Sequence, residues 1–578
     1  MKVHIILDDS ARWNHETGQQ PQSRVWCRSE GGRDSGLTGK VRRIADDDEA
    51  ADLCNGLKGR FAWIREMQDI QHPGAKAQVR IAVDFHRSIP LFYAINGRDV
   101  YIGDQPDLIR RSLPGSEPDR GTASEYLVLG YLTGSDTLFR GIKQVEAGSI
   151  VTITDGDDGP AAETTGYFTY RHHYRNADRN TLLKDLDDVA LQTMQRSIDH
   201  ADGRPVILPL SGGHDSRLIA LLLHRLNYRD VICYSYGKQG SPEMKLSREI
   251  AEALGYRWIG VPYTRKKWRD WFNRPERKRY YKKAARPAGI PNIQEWVAVG
   301  ELRSGGTVPD DSLFMSGHFG DALVGGKGIY DTYTYREHPE THPDTILRHI
   351  FHYHYYLWDW SAYRDVLEPF FRDRILRLLQ PIDAYPDSPS ACEAWNIRER
   401  QSKFIINSGR IYDFFGYDWL MPYCDPDYMR FWLEIPLAFR HDKNLYTSYI
   451  DRLSPFNTPT HNPGKAIIAV RETIRKTPLF RPSRALYNKW AARRRRKKEY
   501  ETHPMAWYGM MRETDFRKLY TGSENINSFQ SLELLRTIFE NGYLSVDDIL
   551  HQSYKALARS PLKQPDGERP SDDSRIPS

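Results

Sequence analysis

A chain of 578 residues is longer than one hydrophobic core usually serves, so two or three domains are expected. Hydrophobic residues at 39% and aromatics at 12% can build large cores, which excludes a mainly disordered chain. The 82 basic and 76 acidic residues nearly cancel, leaving +6. Basic clusters at Arg265–Trp268, Arg277–Lys283 and Arg493–Lys498 read as solvated surface, and no nucleic-acid partner is expected. No apolar run approaches the ~18 residues that would cross a membrane. Five widely spaced cysteines, with no C-x-x-C, point to reduced thiols in a cytoplasmic protein and not to a zinc site.

In chain order, residues 1–170 read as an antiparallel β-rich unit. Short apolar or alternating segments recur at Val3–Leu7, Arg60–Met67, Gln78–Phe85, Leu91–Ile95, Val100–Ile102 and Ser149–Thr154. Asn96-Gly97 stands at a hairpin position. Asp155–Thr165, rich in Gly, Asp and Ala, reads as a linker or loop. From about residue 180 the period changes. Leu182, Leu183, Leu186, Val189, Ala190 and Met194 recur at helical spacing. Strand 206–210, helix 216–226, strand 231–236, helix 242–254 and strand 257–261 follow, a rhythm that predicts a parallel sheet with right-handed crossovers. Residues 345–460 read as helical and rich in aromatics. Residues 461–560 form a basic, partly helical extension, with helices returning near 530–557. The polar tail 563–578 is expected to be disordered.

The run Val206–Leu223 is the most informative stretch. An apolar strand ends in Ser211-Gly212-Gly213-His214-Asp215-Ser216, and an apolar helix follows at once. Two glycines permit a tight turn and close approach to a ligand. The amides of such a turn, with the first helical turn, converge on one spot that suits a phosphate. Ser211 and Ser216 can add hydroxyl donors. Asp215 can hold a Mg²⁺ that bridges phosphate oxygens. The strand's carboxyl end is where open α/β sheets bind ligands.

This loop resembles the pyrophosphate loop of the N-type ATP pyrophosphatases, and two more motifs resemble the asparagine synthetase-like amide ligases. Gly240-Ser-Pro-Glu243 is similar to that family's G-S-P-[DE] turn, and the strand before it, with Tyr236, would line the adenine pocket. Met315-Ser-Gly-His-Phe-Gly-Asp-Ala-Leu-Val-Gly-Gly326 resembles L-S-G-E-G-x-D-E-x-x-G-G. By that match Ser316 and Gly317 would touch the nucleotide, and Asp321 would join Asp215 on the metal. The fold implied is α/β: a glutaminase-like N-terminal sandwich of the Ntn type before a parallel-sheet ATP-pyrophosphatase domain at 180–460 with helical additions. Asp84–Tyr93 resembles the D-x-x-G-x-x-P-L-[FY]-Y segment of the glutaminase half, with Arg87 at the glycine. Thr137–Gly148 resembles its connector to the synthetase half.

Departures from the pattern carry as much weight. A glutaminase of this type uses a cysteine at position 2 as its nucleophile. Lys2 stands there, and the nearest cysteine is Cys27, so an inactive glutaminase shell is expected unless an upstream start exists. His318 replaces the glutamate of S-G-E-G, and Ala322 the second acid. In Gly416–Asp425, Asp418 stands for a glutamate and Leu420 for an arginine, which argues against free aspartate as substrate.

The resemblance implies adenylation of a carboxylate by ATP with Mg²⁺, then attack by ammonia or an amine. Three catalytic residues are expected: Lys443 as a cation for the departing pyrophosphate, and His318 as base oriented by Asp418. A surface role for Lys443 and a purely hydrogen-bonding role for His318 are the alternatives. The partners expected are a small-molecule or peptide carboxylate and ammonia or an amine, with a homodimer as the possible assembly. A lasso-peptide-type macrolactam cyclase and a non-catalytic ATP-binding scaffold are the competing readings.

Overall fold

The computed structural model describes residues 1–8, 10–19, 22–30, 36–68, 76–285, 288–325, 340–453, 496–542 and 544–559. The expectations for 461–495 and for the tail therefore lie outside the described residues.

Among the described residues, ten strands form the N-terminal half: β1 (Lys2–Ile6), β2 (Asn14–Gln19), β3 (Gln22–Glu30), β4 (Arg60–Gln68), β5 (Gln78–Val83), β6 (Phe92–Asn96), β7 (Asp99–Gly103), β8 (Ile142–Gln144), β9 (Ser149–Gly156) and β10 (Gly159–Gly166). They make a six-stranded sheet, β10-β9-β5-β4-β3-β2, and a four-stranded sheet, β1-β7-β6-β8. The larger sheet is antiparallel throughout, whereas β1 runs parallel to β7 in the smaller one. Period-2 alternation explains the packing. Ala62, Ile64, Val79, Ile81, Val151 and Ile153 point inward to meet Val100 and Ile102 of the facing sheet. The opposite faces bury Phe61, Trp63 and Ala82 under the helices Leu37–Arg43 and Asp47–Gly56, and Phe92 and Ala94 under the helix Pro106–Ser112. The result is a sandwich of four layers, helix, sheet, sheet, helix.

One expectation is overturned here, and one hairpin was not foreseen. Asp155–Thr165 is a hairpin and not a linker or loop. Gly156 pairs with Gly159 around Asp157-Asp158, and β10 forms an edge whose polar residues hide any apolar alternation. The hairpin β2–β3 gave no signal, because Asn14–Gln19 carries no apolar residue at alternate positions. The Asn96-Gly97 turn does close β6 onto β7, with Gly97 in the left-handed region at φ +59°.

The C-terminal half centres on five parallel strands in the order β13-β12-β11-β14-β15: β11 (Val206–Pro209), β12 (Val231–Gly237), β13 (Arg257–Pro262), β14 (Leu313–Met315) and β15 (Asp418–Leu420). Helices Arg179–Ala201, His214–Arg225 and Pro242–Ala253 connect or cover them. Helices also fill 343–453, among them Pro343–His354, Arg364–Leu378, Pro426–Glu434 and Asn444–Leu453. One continuous apolar core joins the sheet to these helices and to the helix Arg120–Leu129. The last two helices, Ile526–Ile538 and Val546–Ala558, return to that same helix. Ser531 Oγ donates to the Leu127 carbonyl at 3.0 Å, and Ser553 Oγ to the Arg120 carbonyl at 2.6 Å. Among the described residues no helix is long and apolar enough to cross a membrane.

Candidate active site

β11 ends where the chain turns through Ser211, Gly212 and Gly213 into the helix that starts at His214. The turn is held by its own hydroxyls. Gly213 N–H donates to Ser211 Oγ at 3.1 Å, Ser211 N–H donates to Ser216 Oγ at 3.0 Å, and the two hydroxyls lie 3.1 Å apart. Arg217 donates to the Gly212 carbonyl at 3.2 Å. The first amides of the 12-residue helix are thereby aimed out of the sheet, where an anion gains both hydrogen bonds and the helix dipole.

A second loop, Ser316–Asp321, leaves the end of β14 and lies directly on the first. Its glycines make this possible. A Cβ on Gly317 would sit 2.9 Å from Ser216 N, and one on Gly320 would sit 2.6 Å from Asp215 Cγ. Asp215 and Asp321 are thus neighbours. Burial, then the nearby Asp321 charge, pushes the Asp215 carboxyl up to about 7, against the pull of the Tyr446 hydroxyl and Lys443. Tyr446 donates to Asp215 Oδ1 at 2.8 Å, and Tyr423 to the Asp215 carbonyl at 2.7 Å. Lys443 pairs with Asp321 across the mouth of the site.

Lys443 is presented by a strained turn. Asp442 and Lys443 are both left-handed, at φ +52° and +57°. Three residues earlier Arg440 is fully buried, paired with Glu393 and donating to His172 Nε2 at 2.8 Å. That buried group fixes the start of the turn.

These residues line a cleft of about 560 Å³ together with His214, Tyr234, Ser235, Tyr236, Glu243, Gln294, Glu295, Ser316, His318, Met505 and Trp507. The size suits a nucleotide-sized ligand. Ser235 Oγ and His318 Nε2 are buried at its wall without a hydrogen-bond partner among the described residues, as expected where a ligand completes the set. Asp215, raised by burial and then by the Asp321 charge, and Asp321 beside it are the carboxylates that would hold a Mg²⁺ ion. Among the described residues no third acidic, histidine or cysteine ligand joins them.

The structure therefore brings Ser211, Gly213, Asp215, Ser216, Tyr236, Ser316, Gly317, His318, Asp321 and Lys443 to one cleft, with Gly212 in the same turn. It does not bring Asp418 there. Asp418 opens β15 opposite Leu313, at the other end of the sheet. Its carboxylate accepts from His200 at 2.8 Å, Arg60 at 2.9 Å and Arg204 at 3.1 Å. Burial opposes ionisation, but the His200 hydrogen bond and the Arg60 charge outweigh it and hold the group well below the usual carboxylate range. The expected His318–Asp418 dyad is corrected on this geometry. The acid that faces His318 is Glu295; burial lowers the imidazole's affinity for a proton and the Glu295 charge partly restores it. Glu295, Tyr446 and Tyr423 were missed from sequence. Tyr446 lies near a residue singled out from sequence, in the first turn of the helix that follows Lys443.

Residues 190–450 match the family model described as asparagine synthase. A stretch of 100 residues is 33% identical to a protein described as "Probable asparagine synthetase [glutamine-hydrolyzing]" from Acanthamoeba polyphaga mimivirus. That match covers 15% of this chain and 18% of the relative. The segment that matches the family model holds the Ser211–Ser216 turn, Asp215, Asp321 and Lys443.

Proposed function

We propose that the chain is an ATP-dependent ligase that joins a carboxylate to ammonia or an amine, with ATP converted to AMP and pyrophosphate. The reading rests above all on one arrangement: a phosphate-directed turn at Ser211–Ser216 that shares its cleft with Asp215, Asp321 and Lys443. In the first step the carboxylate attacks the α-phosphorus and pyrophosphate departs. This step needs alignment and positive charge more than covalent help. The turn's amides and the Ser211 and Ser216 hydroxyls hold phosphate oxygens, Ser316, Gly317 and Tyr236 flank the nucleotide, and Lys443 exchanges Asp321 for the departing pyrophosphate. Asp215 and Asp321 would hold Mg²⁺, which when bound offsets charge on the phosphate oxygens. In the second step the amine attacks the activated acyl carbon, and His318 Nε2 accepts a proton.

The same reading makes the enzyme independent of glutamine. All five cysteines are buried. Burial pushes the Cys54 and Cys233 thiols up to about 12 and raises Cys424 as well, so they stay protonated at neutral pH. The test is exchange of labelled pyrophosphate into ATP across a panel of carboxylates. Exchange that depends on one class of acid supports the reading. ATP cleavage to ADP, with no exchange for any acid, would overturn it.

A further inference from the structure

The cleft contains a second charged feature that the nucleotide turn does not use. Glu295 stands just before the helix Trp296–Ser304 and is only 4% exposed. Three phenol hydroxyls donate to it: Tyr412 at 2.5 Å and Tyr234 at 3.1 Å to Oε2, and Tyr236 at 3.2 Å to Oε1. Tyr234 and Tyr236 share one face of β12, and Tyr412 reaches in from the helix Gly409–Phe415. Burial keeps all three phenols protonated, so each acts as a donor.

A buried carboxylate normally has a cation beside it. Among the described residues no lysine, arginine or histidine forms an ion pair with Glu295. A carboxylate offers about four acceptor positions, and three are filled here. The open side faces the cleft, which Glu295 lines with Tyr234, Tyr236 and His318. Two further polar atoms at this wall, Ser235 Oγ and His318 Nε2, are buried and unpartnered. The wall thus combines an uncompensated anion, aromatic rings and a vacant proton acceptor, a chemistry that selects a small organic cation.

We propose that Glu295 is the binding residue for the incoming amine, which it takes from solution in its ammonium form, as ammonium itself or a small primary alkylammonium. The proposal rests on the amide-ligase reading above and names where that reaction's nitrogen binds. The bound ammonium gives one proton to His318 Nε2, which burial keeps free to accept it. The imidazolium that forms lies next to the Glu295 charge. The freed lone pair makes the C–N bond as the acyl C–O bond to AMP breaks with its electron pair. A second proton leaves the nitrogen with the AMP phosphate.

The test uses the full chain and methylammonium chloride as probe. Saturation-transfer NMR should show contact between the wild-type protein and the probe's methyl protons, displaced by ammonium chloride. Glu295→Gln preserves volume and acceptors but removes the charge, and should abolish that signal. In the ligase assay it should raise the KM for ammonium by about 10–100-fold, the loss expected for a hydrogen bond to a charged group, and by more than it raises the KM for ATP. Tyr412→Phe removes a competing donor and keeps the charge, so it should tighten methylammonium binding about threefold. That opposite sign decides the matter even if Glu295→Gln fails to fold. An unchanged methylammonium signal in Glu295→Gln, weaker or equal binding in Tyr412→Phe, or a raised KM for ATP in place of ammonium would each overturn the proposal. If the wild type shows no carboxylate-dependent exchange, the ligase reading fails, while the methylammonium experiment still decides whether Glu295 binds a cation.

Discussion

Asp418 and His318 stand at opposite ends of two neighbouring strands: Asp418 begins β15 beside Leu313, and His318 follows the far end of β14. A base and its orienting acid must touch, so the two have separate tasks. His318→Ala should keep carboxylate-dependent pyrophosphate exchange and lose amide formation by ~10²–10⁴-fold. Equal loss of both half-reactions would assign His318 to the nucleotide.

Asp418→Asn should instead act on stability. It withdraws a charge that His200, Arg60 and Arg204 share, and hydrogen bonds to a charged group are each worth about 1.5–3 kcal/mol. A lowered unfolding midpoint, with the ratio of the two half-reactions unchanged in the protein that remains folded, is the expected result.

Asp215→Asn and Asp321→Asn should each reduce pyrophosphate exchange by ~10²–10³-fold with the far-ultraviolet spectrum unchanged, because electrostatic stabilisation dominates such transition states. Asp215 also sets a pH response. Its carboxyl is raised to about 7 by burial and by Asp321, so Mg²⁺ and protons compete for it. The Mg²⁺ concentration for half-maximal exchange should fall as pH rises from 6 to 8. In Asp321→Asn that dependence should move to lower pH, since the neighbouring charge is gone.

The loop chemistry was legible because it is local: strand, two glycines, acid and helix follow one another in the chain. Strands β4, β5, β6, β7 and β9 were legible for the same reason, through alternation. Asp418 was misplaced because β15 has only three residues, and a sequence does not reveal at which end of so short a strand a side chain lies. Glu295 left no local sign at all. Its three tyrosines come from positions 234, 236 and 412, and only the packing of β12 against the helix Gly409–Phe415 assembles them.

His86 supplies a test of the contact between the two halves. It is 3% exposed, packs edge-on against Phe319 with ring centroids 5.7 Å apart, and has Asp84 Oδ1 3.7 Å from Nε2, with Arg60 and Asp425 farther off. Burial lowers its proton affinity, partly offset by Asp84. Its folded-state value thus lies below the unfolded one of about 6.5, so the unfolded chain binds the proton first as pH falls. Stability from neutral His86 is full above that pH and declines below it, by at most about 1.4 kcal/mol per unit. The thermal midpoint of wild type relative to His86→Gln should therefore drop between pH 7.5 and 5.5. A constant difference would mean that His86 takes up its proton at the same pH in the folded and unfolded chain, and a rising one that it is already charged in the folded protein.

The same contact bears on how such a chain can change over time. His86 belongs to the N-terminal sandwich, and Phe319 is the residue after His318 in the loop that lies on Asp215. The sandwich therefore serves as a wall for its neighbour, whatever reaction it performs itself. A lineage that no longer uses this half for chemistry cannot simply delete it, because the cut would strip the support from the loop that carries His318 and Asp321. What must persist is the surface that meets the other half, the Phe319 contact and the pairing of Arg60 with Asp418 included.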